Sequence, residues 1–216
     1  MNILVTAGPT REFIDDIRYL SNASSGLMGC ALARAAKEAG HRVTLVCGPL
    51  ACEPPDCDEV VHVVSADEMR RAVLERAPQA DAIVMAAAVA DYTPAERAPG
   101  KIKKTEGQLV LRLKRTADIL AELGGSKGGR IHVGFALEAE NARENALRKL
   151  REKNLDLIVI NGPAAMGAER ATVELISFDP EALDGFASGE SETLTDLPKS
   201  EIARRIVSAV DKMKAA

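Results

Sequence analysis

The feature that most constrains this chain is a series of short apolar runs, none with a helical period. They are Asn2–Ala7, Arg42–Cys47, Glu59–Val64, Asp81–Ala88, Arg130–Phe135 and Leu155–Ile160. Gly8-Pro9, Gly48-Pro49 and Asn161-Gly162-Pro163 close three of them as sharp turns. The intervening stretches carry helical spacing instead. Met28, Ala31, Leu32, Ala35 and Ala36 mark one helix face, Ser65 can cap a helix over Ala66–Arg76, and Ala142, Ala146 and Leu150 line a helix over Asn141–Lys153. Strands that are apolar almost throughout and alternate with helices belong to a parallel sheet covered on both faces. The expectation is an α/β, doubly wound, mostly parallel Rossmann-like sheet within one domain spanning residues 1–216. Ligands bind such a fold at the carboxyl ends of the strands.

Two segments break this rhythm. Tyr92–Gly107 is polar and Lys-rich, and Gln108–Leu113 then alternates at period two, which predicts an added antiparallel strand. Ala171–Phe178 also alternates and predicts a hairpin with Glu192-Thr193-Leu194, across a loop-like Gly185–Ser191. Ser200–Lys214 reads as a closing amphipathic helix with Ile202, Ile206, Ala209, Val210 and Met213 on its apolar face.

Three stretches carry chemistry. The first is Ser21-Asn22-Ala23-Ser24-Ser25-Gly26-Leu27-Met28-Gly29, just before the first helical pattern. Small hydroxyl residues and glycines at a helix start leave bare backbone N–H groups where the helix dipole is positive, which suits an anion. By themselves Ser24, Ser25 and Gly26 fit a helix cap equally well, and Gly26 and Gly29 supply only part of the dinucleotide G-x-G-x-x-G. The preceding loop adds Arg11, Arg18 and Asn22 near the same start. The second stretch is Met85-Ala86-Ala87-Ala88-Val89-Ala90-Asp91. Small residues at a strand's carboxyl end expose backbone groups to a ligand, or let a helix pack closely. Asp91 can take Mg²⁺ or accept from a base or ribose. The third is Lys101-Ile102-Lys103-Lys104, bracketed by Gly100 and Gly107 as hinges, which could close over a triphosphate or simply be a solvated face.

Taken in order, Gly8-Pro9-Thr10-Arg11-Glu12, Arg18-Tyr19-Leu20-Ser21-Asn22 and Ser24-Ser25-Gly26-x-Met28-Gly29 resemble the opening of phosphopantothenoylcysteine synthetase. Later segments match in turn, so the resemblance covers residues 2–178. It implies a ligase of coenzyme A biosynthesis that joins 4′-phosphopantothenate to L-cysteine through an acyl-nucleotide (acyl-CMP). Pyrophosphate and a nucleoside monophosphate are released, with CTP the expected donor, ATP the alternative, and Mg²⁺ required. It further implies nucleotide contacts from Met85, Ala86, Ala87, Asp91, Lys101, Ala117, Asp118, Ile119, Leu120, Phe135, Lys149 and Lys153. Lys149 and Lys153 also fit an ordinary exposed helix stripe by spacing alone. Asn22, Lys101 and Arg18 take the catalytic roles, and Arg18, Asn22, Ser24, Ser25 and Gly26 hold substrate or anhydride. Asp91 is the implied Mg²⁺ ligand. A homodimer is implied, with dimerisation β-segments near 105–115 and 170–196, as is a separate phosphopantothenoylcysteine decarboxylase that carries the flavin this chain is expected to lack. Leu27 stands where the family has Lys, Ala117 where it has Pro, and Gly162 where it often has Asp.

Composition narrows the partners. Lys+Arg 28 against Asp+Glu 32 gives a net charge of −4, which offers no general attraction to nucleic acid or to a membrane surface. Cys30, Cys47, Cys52 and Cys57 form no C-x-x-C pair, and His41, His62 and His132 form no ligand cluster, so reduced thiols and no zinc are expected. No run reaches membrane-spanning length, and a cytoplasmic protein is expected. A Rossmann-type NAD(P)-dependent oxidoreductase and a non-catalytic nucleotide-binding module are the alternatives. The incomplete glycine fingerprint and the absence of a Tyr-x-x-x-Lys pair weigh against the first.

Overall fold

The computed structural model describes every residue except 105, 138, 139, 180–187 and 216. In chain order the strands are β1 (Asn2–Ala7), β2 (Arg11–Phe13), β3 (Tyr19–Ser21), β4 (Arg42–Cys47), β5 (Glu59–His62), β6 (Ala82–Met85), β7 (Tyr92–Pro94), β8 (Leu113–Arg115), β9 (Ile131–Leu137), β10 (Leu157–Asn161), β11 (Arg170–Phe178) and β12 (Ser188–Pro198). The α-helices are α1 (Leu27–Glu38), α2 (Ala66–Arg76), α3 (Ile119–Gly125), α4 (Ala142–Glu152) and α5 (Lys199–Ala215).

The expected apolar runs all become strands of one eight-stranded sheet, in the order β12-β11-β10-β9-β6-β1-β4-β5. The pairs from β5 to β10 are parallel, and β10-β11 and β11-β12 are antiparallel. Alternate residues of each strand feed opposite faces, which is the reason the runs are apolar throughout. Ile3, Val5, Val84 and Val159 pack in the layer that holds α1 and α5. Leu4 and Ile83 pack against α2 and α3, and Ile158 and Ile160 against α4. Helix α1 lies especially close to β1, because a Cβ on Gly29 would sit 2.5 Å from the Ala7 Cβ.

The added β-structure differs in detail from the sequence reading. Gln108–Leu113 does not form the expected strand. Only Leu113–Arg115 is extended, and it pairs with Tyr92–Pro94 in a small ribbon apart from the main sheet. Leu109 and Val110 remain exposed, at 58% and 79%, so the period-two pattern there has no buried face to serve. The hairpin of Ala171–Phe178 with Glu192–Leu194 forms as expected, Val173 opposite Leu194 and Leu175 opposite Glu192. Its second strand begins at Ser188, so 188–191 belong to β12, while 185–187 of the expected loop lie outside the described residues. The loop between Thr10 and Ser21 holds the short antiparallel pair β2-β3, too brief to show a pattern in sequence. Cys52 lies beside Cys30, with 3.5 Å between sulfurs, and all four cysteines are free thiols.

His132 sets a pH limit on stability. Its side chain is fully buried in β9, and neither ring nitrogen has a partner. Burial, reinforced by Lys127, pulls its pKa down to about 4. A histidine that titrates near 6.5 unfolded and near 4 folded favours the unfolded chain between those values, so this stability is present above pH 6.5 and lost as pH falls toward 4. Urea unfolding should show a loss of up to about 3 kcal/mol over that interval. His132→Leu should flatten the slope; an unchanged pH profile in that variant would show that other groups set it.

Candidate active site

The strand order β5-β4-β1-β6-β9-β10 reverses its direction of growth between β1 and β6, and a crevice opens there beyond the carboxyl ends. The two chain segments that leave these strands are sewn together. Ala88 N–H donates to Gly8 C=O (2.9 Å), Ala87 N–H to Thr6 Oγ1 (3.0 Å) and Ala90 N–H to Thr10 Oγ1 (3.0 Å). Thr6 and Thr10 are both fully buried. Residues 86–90 are therefore not a continuation of the strand, as the sequence suggested, but a fixed loop. Asn22 completes it, its Nδ2 donating to Ala88 C=O (3.0 Å) and Val89 C=O (3.1 Å). Because both partners are carbonyls, the NH₂ end must face them and the amide oxygen is the free end.

A cavity of about 890 Å³ lies against this loop. Of the residues singled out in the sequence it gathers Asn22, Met85, Ala87, Asp91, Ala117, Asp118, Ile119, Leu120, Phe135, Lys149 and Lys153. Asp118 begins α3, a helix not foreseen in the sequence. One carboxylate oxygen accepts from Ala121 N–H (3.0 Å), and the other pairs with Lys153 (2.8 Å). Burial raises the Asp118 pKa, but Lys153 and the helix N–H groups outweigh it and hold the carboxyl below its usual value. Lys149 and Lys153 thus both line the crevice from one face of α4. Tyr92, which follows Asp91 in the sequence motif, also lines the cavity, as do Arg115, Thr116, Leu137 and Met166, which had no signal in the sequence.

Ser24, Ser25 and Gly26 line a smaller cavity of about 160 Å³ that shares Ala87, Ala88, Phe135, Leu137 and Met166 with the first. Ala86 opens only onto this smaller one. The start of α1 is not capped by a serine side chain. Gly26 takes the cap position at φ 80°, and Ser24 Oγ only accepts from Gly26 N–H at 3.3 Å. Any Cβ at Gly26 would also lie 2.3 Å from Leu50. The first N–H groups of α1 stay open to a ligand.

Arg11 and Arg18 line neither cavity. Arg11 stacks on the Tyr19 ring at 4.6 Å, and Arg18 donates through Nε and Nη2 to the fully buried Asp15. Arg18 first and backbone N–H groups besides hold the Asp15 carboxyl well below the usual carboxylate range. This pair grips the lysine loop at one residue. Ile102 N–H donates to Asp15 Oδ2 (3.0 Å), and Ile102 C=O accepts from Arg18 Nη2 (2.7 Å). Lys101, next to this anchor, is exposed and forms no ion pair among the described residues. Among the described residues no three metal-ligating side chains come together. A Mg²⁺ that arrives with phosphates needs only one or two carboxylates, and Asp91 in this cavity fits that role, whereas Ala121 N–H and Lys153 already take the two Asp118 oxygens.

Comparison with known proteins gives a consistent picture. Residues 1–213 match the family described as the DNA/pantothenate metabolism flavoprotein C-terminal domain. The coenzyme A biosynthesis bifunctional protein CoaBC of Bacillus subtilis (strain 168) is 48% identical over 168 residues, 77% of this chain and 41% of that protein. A cysteine/cysteine sulfinic acid decarboxylase from an unknown prokaryotic organism is 47% identical over 168 residues, again 77% of this chain and 47% of the relative. The chain therefore spans about half the length of the curated relatives it matches. A crystal structure of the C-terminal domain of a CoaBC protein superposes with a TM-score of 0.82 at 39% identity, covering 98% of this chain and 94% of that one.

Proposed function

Because this chain belongs to the family of the DNA/pantothenate metabolism flavoprotein C-terminal domain, we propose that it is a phosphopantothenate–cysteine ligase of coenzyme A biosynthesis. The observation that carries the reading is the large cavity at the switch point. It brings small-residue backbone, two carboxylates, two lysines and the Asn22 amide to one place. In this reading the carboxylate of 4′-phosphopantothenate attacks the α-phosphorus of a nucleoside triphosphate, and pyrophosphate leaves. The cysteine amine then attacks the acyl carbon and a C–N bond forms. The C–O bond to phosphate breaks, its electron pair departs with the nucleoside monophosphate, and the amine proton passes to that phosphate. No protein nucleophile is needed, so the protein's task is to position and to neutralise charge.

The base rests on backbone groups of Met85 and Ala87 and beside Phe135, with Ala117–Leu120, Lys149 and Lys153 along the nucleotide; Ala86, expected beside it, faces the smaller cavity instead. Asp91 would hold Mg²⁺, which screens the triphosphate charge when bound. Lys101 swings over the phosphates from its anchor at Ile102. The open first N–H groups of α1, together with Ser24, Ser25 and Gly26 that lead into it, hold an anionic substrate group. Arg18 acts on the reaction through the Ile102 anchor. Asn22 fixes the loop at 86–90 and presents its amide oxygen, so it orients the acyl centre without donating to it. CTP is the proposed donor; a kcat/KM for ATP above that for CTP would reverse this choice and leave the two-step reaction standing. The oxidoreductase alternative shares the sheet and the anion site at the start of α1, but the incomplete glycine fingerprint weighs against it.

The test is pyrophosphate release. It should require both phosphopantothenate and a nucleoside triphosphate. Release without phosphopantothenate, or none with both present, would remove the ligase reading. A homodimer is proposed through the exposed Leu109, Val110 and Leu113 beside Tyr92, with the adjoining lysine loop near a shared site. Introducing charge with Val110→Asp and Leu113→Asp should give monomers by light scattering and depress activity; a fully active wild-type monomer would rule the dimer out.

A further inference from the structure

Lys199 is the one lysine or arginine in the interior of the described residues, at 9% exposure. It opens α5, where the helix dipole disfavours a cation, and its ammonium has a single partner, the Ala165 C=O at 3.0 Å. No carboxylate among the described residues pairs with it. Burial lowers its pKa, as expected for an ammonium without a counter-charge. A buried, uncompensated cation at a helix start works against stability, so the fold does not account for it. What it does have is space in front of it. Lys199 lines the cavity of about 160 Å³ together with Asn161. The Asn161 Oδ1 is buried and has no hydrogen-bond donor. Met28, Met166 and Phe135 form the apolar part of the same wall.

We propose that this cavity is the amino-acid subsite, with Lys199 taking the α-carboxylate and Asn161 Oδ1 the α-amine of cysteine. The inference rests on the ligase reading and assigns that reaction's second substrate to a place. An oxyanion alone answers Lys199 but leaves the Asn161 acceptor empty, because a phosphate offers it no donor near neutral pH. An α-amino acid carries both groups on one carbon. The thioethers of Met28 and Met166 give a soft surface for a thiol. Ala87, Ala88 and Phe135 belong to both cavities, so an amine held here lies beside the loop that Asn22 fixes. The cation that the α1 start lacks at Leu27 is thus supplied from α5 in the same cavity.

The experiment compares cysteine with cysteamine, which has the amine and thiol but no carboxylate, in wild type, Lys199→Met and Asn161→Ala. The wild type should prefer cysteine by at least tenfold in kcat/KM. In Lys199→Met the cysteine KM should rise at least tenfold and the preference should fall to within about twofold. Damage to packing would lower both substrates alike and keep the ratio, and a kept ratio overturns the proposal. Asn161→Ala breaks no hydrogen bond within the protein, so it should fold normally and raise KM for both amines. An unchanged KM there would also overturn it. Acyl-nucleotide formation without cysteine serves as the control. Its loss in Lys199→Met would reassign the cation to a phosphate, whereas its absence in the wild type would remove the ligase reading itself.

Discussion

Replacing Asn22 by Asp is expected to lower ligation by about a hundredfold or more while the protein stays folded. The Asn22 NH₂ donates to Ala88 and Val89 carbonyls at 3.0 and 3.1 Å. A carboxylate there would set negative oxygen against both carbonyl oxygens, and the loop at 86–90 would have to move. Misplacement of a reacting group by about 1 Å can cost on the order of a hundredfold in rate. Asn22 is exposed, so thermal unfolding should change little. The sharpest reading is the single turnover: acyl-nucleotide should accumulate, because the second step needs the acyl centre aligned with an incoming amine. Wild-type turnover in Asn22→Asp would end this assignment.

Lys101→Gln should slow nucleotidyl transfer by a factor of about a hundred to a thousand, the effect of losing one preorganised group worth about 3–4 kcal/mol at the transition state. Lys101 has no ion pair among the described residues, so stability should shift by less than about 0.5 kcal/mol. The anchor sharpens the test. Ile102 is held through backbone groups alone, by Asp15 and Arg18, so the substitution leaves the loop in place and removes only the charge. The loss should appear in pyrophosphate release and not in nucleotide binding measured with the loop open. Equal rates in variant and wild type would reduce the lysine cluster to a solvated face.

The apolar runs determined the sheet by themselves. A strand buried on both faces must be apolar at nearly every position, and β1, β4, β6 and β10 were legible for that reason, as was the crevice that such a fold places at its carboxyl edge. Residue type and resemblance also singled out most of the residues that line the crevice, from Met85 to Lys153. Local pattern failed where there was no local cause. Gln108–Leu113 alternates without a partner to bury its apolar side, and β2, β3, β7 and β8 are too short to carry a period.

The roles of polar groups were decided only by tertiary contacts. Arg18 looked like an anion clamp until Asp15, three residues away, and Ile102, eighty-four residues away, took its guanidinium. Asn22 was expected to act on the substrate, and two distant carbonyls claim its NH₂. Lys199 and Asn161 gave no signal at all, since a lysine before a helix and an asparagine after a strand are ordinary in sequence. Burial is what makes them unusual, and burial belongs to the packing of α5 and β10 around a shared cavity. A side chain's chemistry is written in the chain, but the partners that satisfy it or leave it unmet are set by the fold.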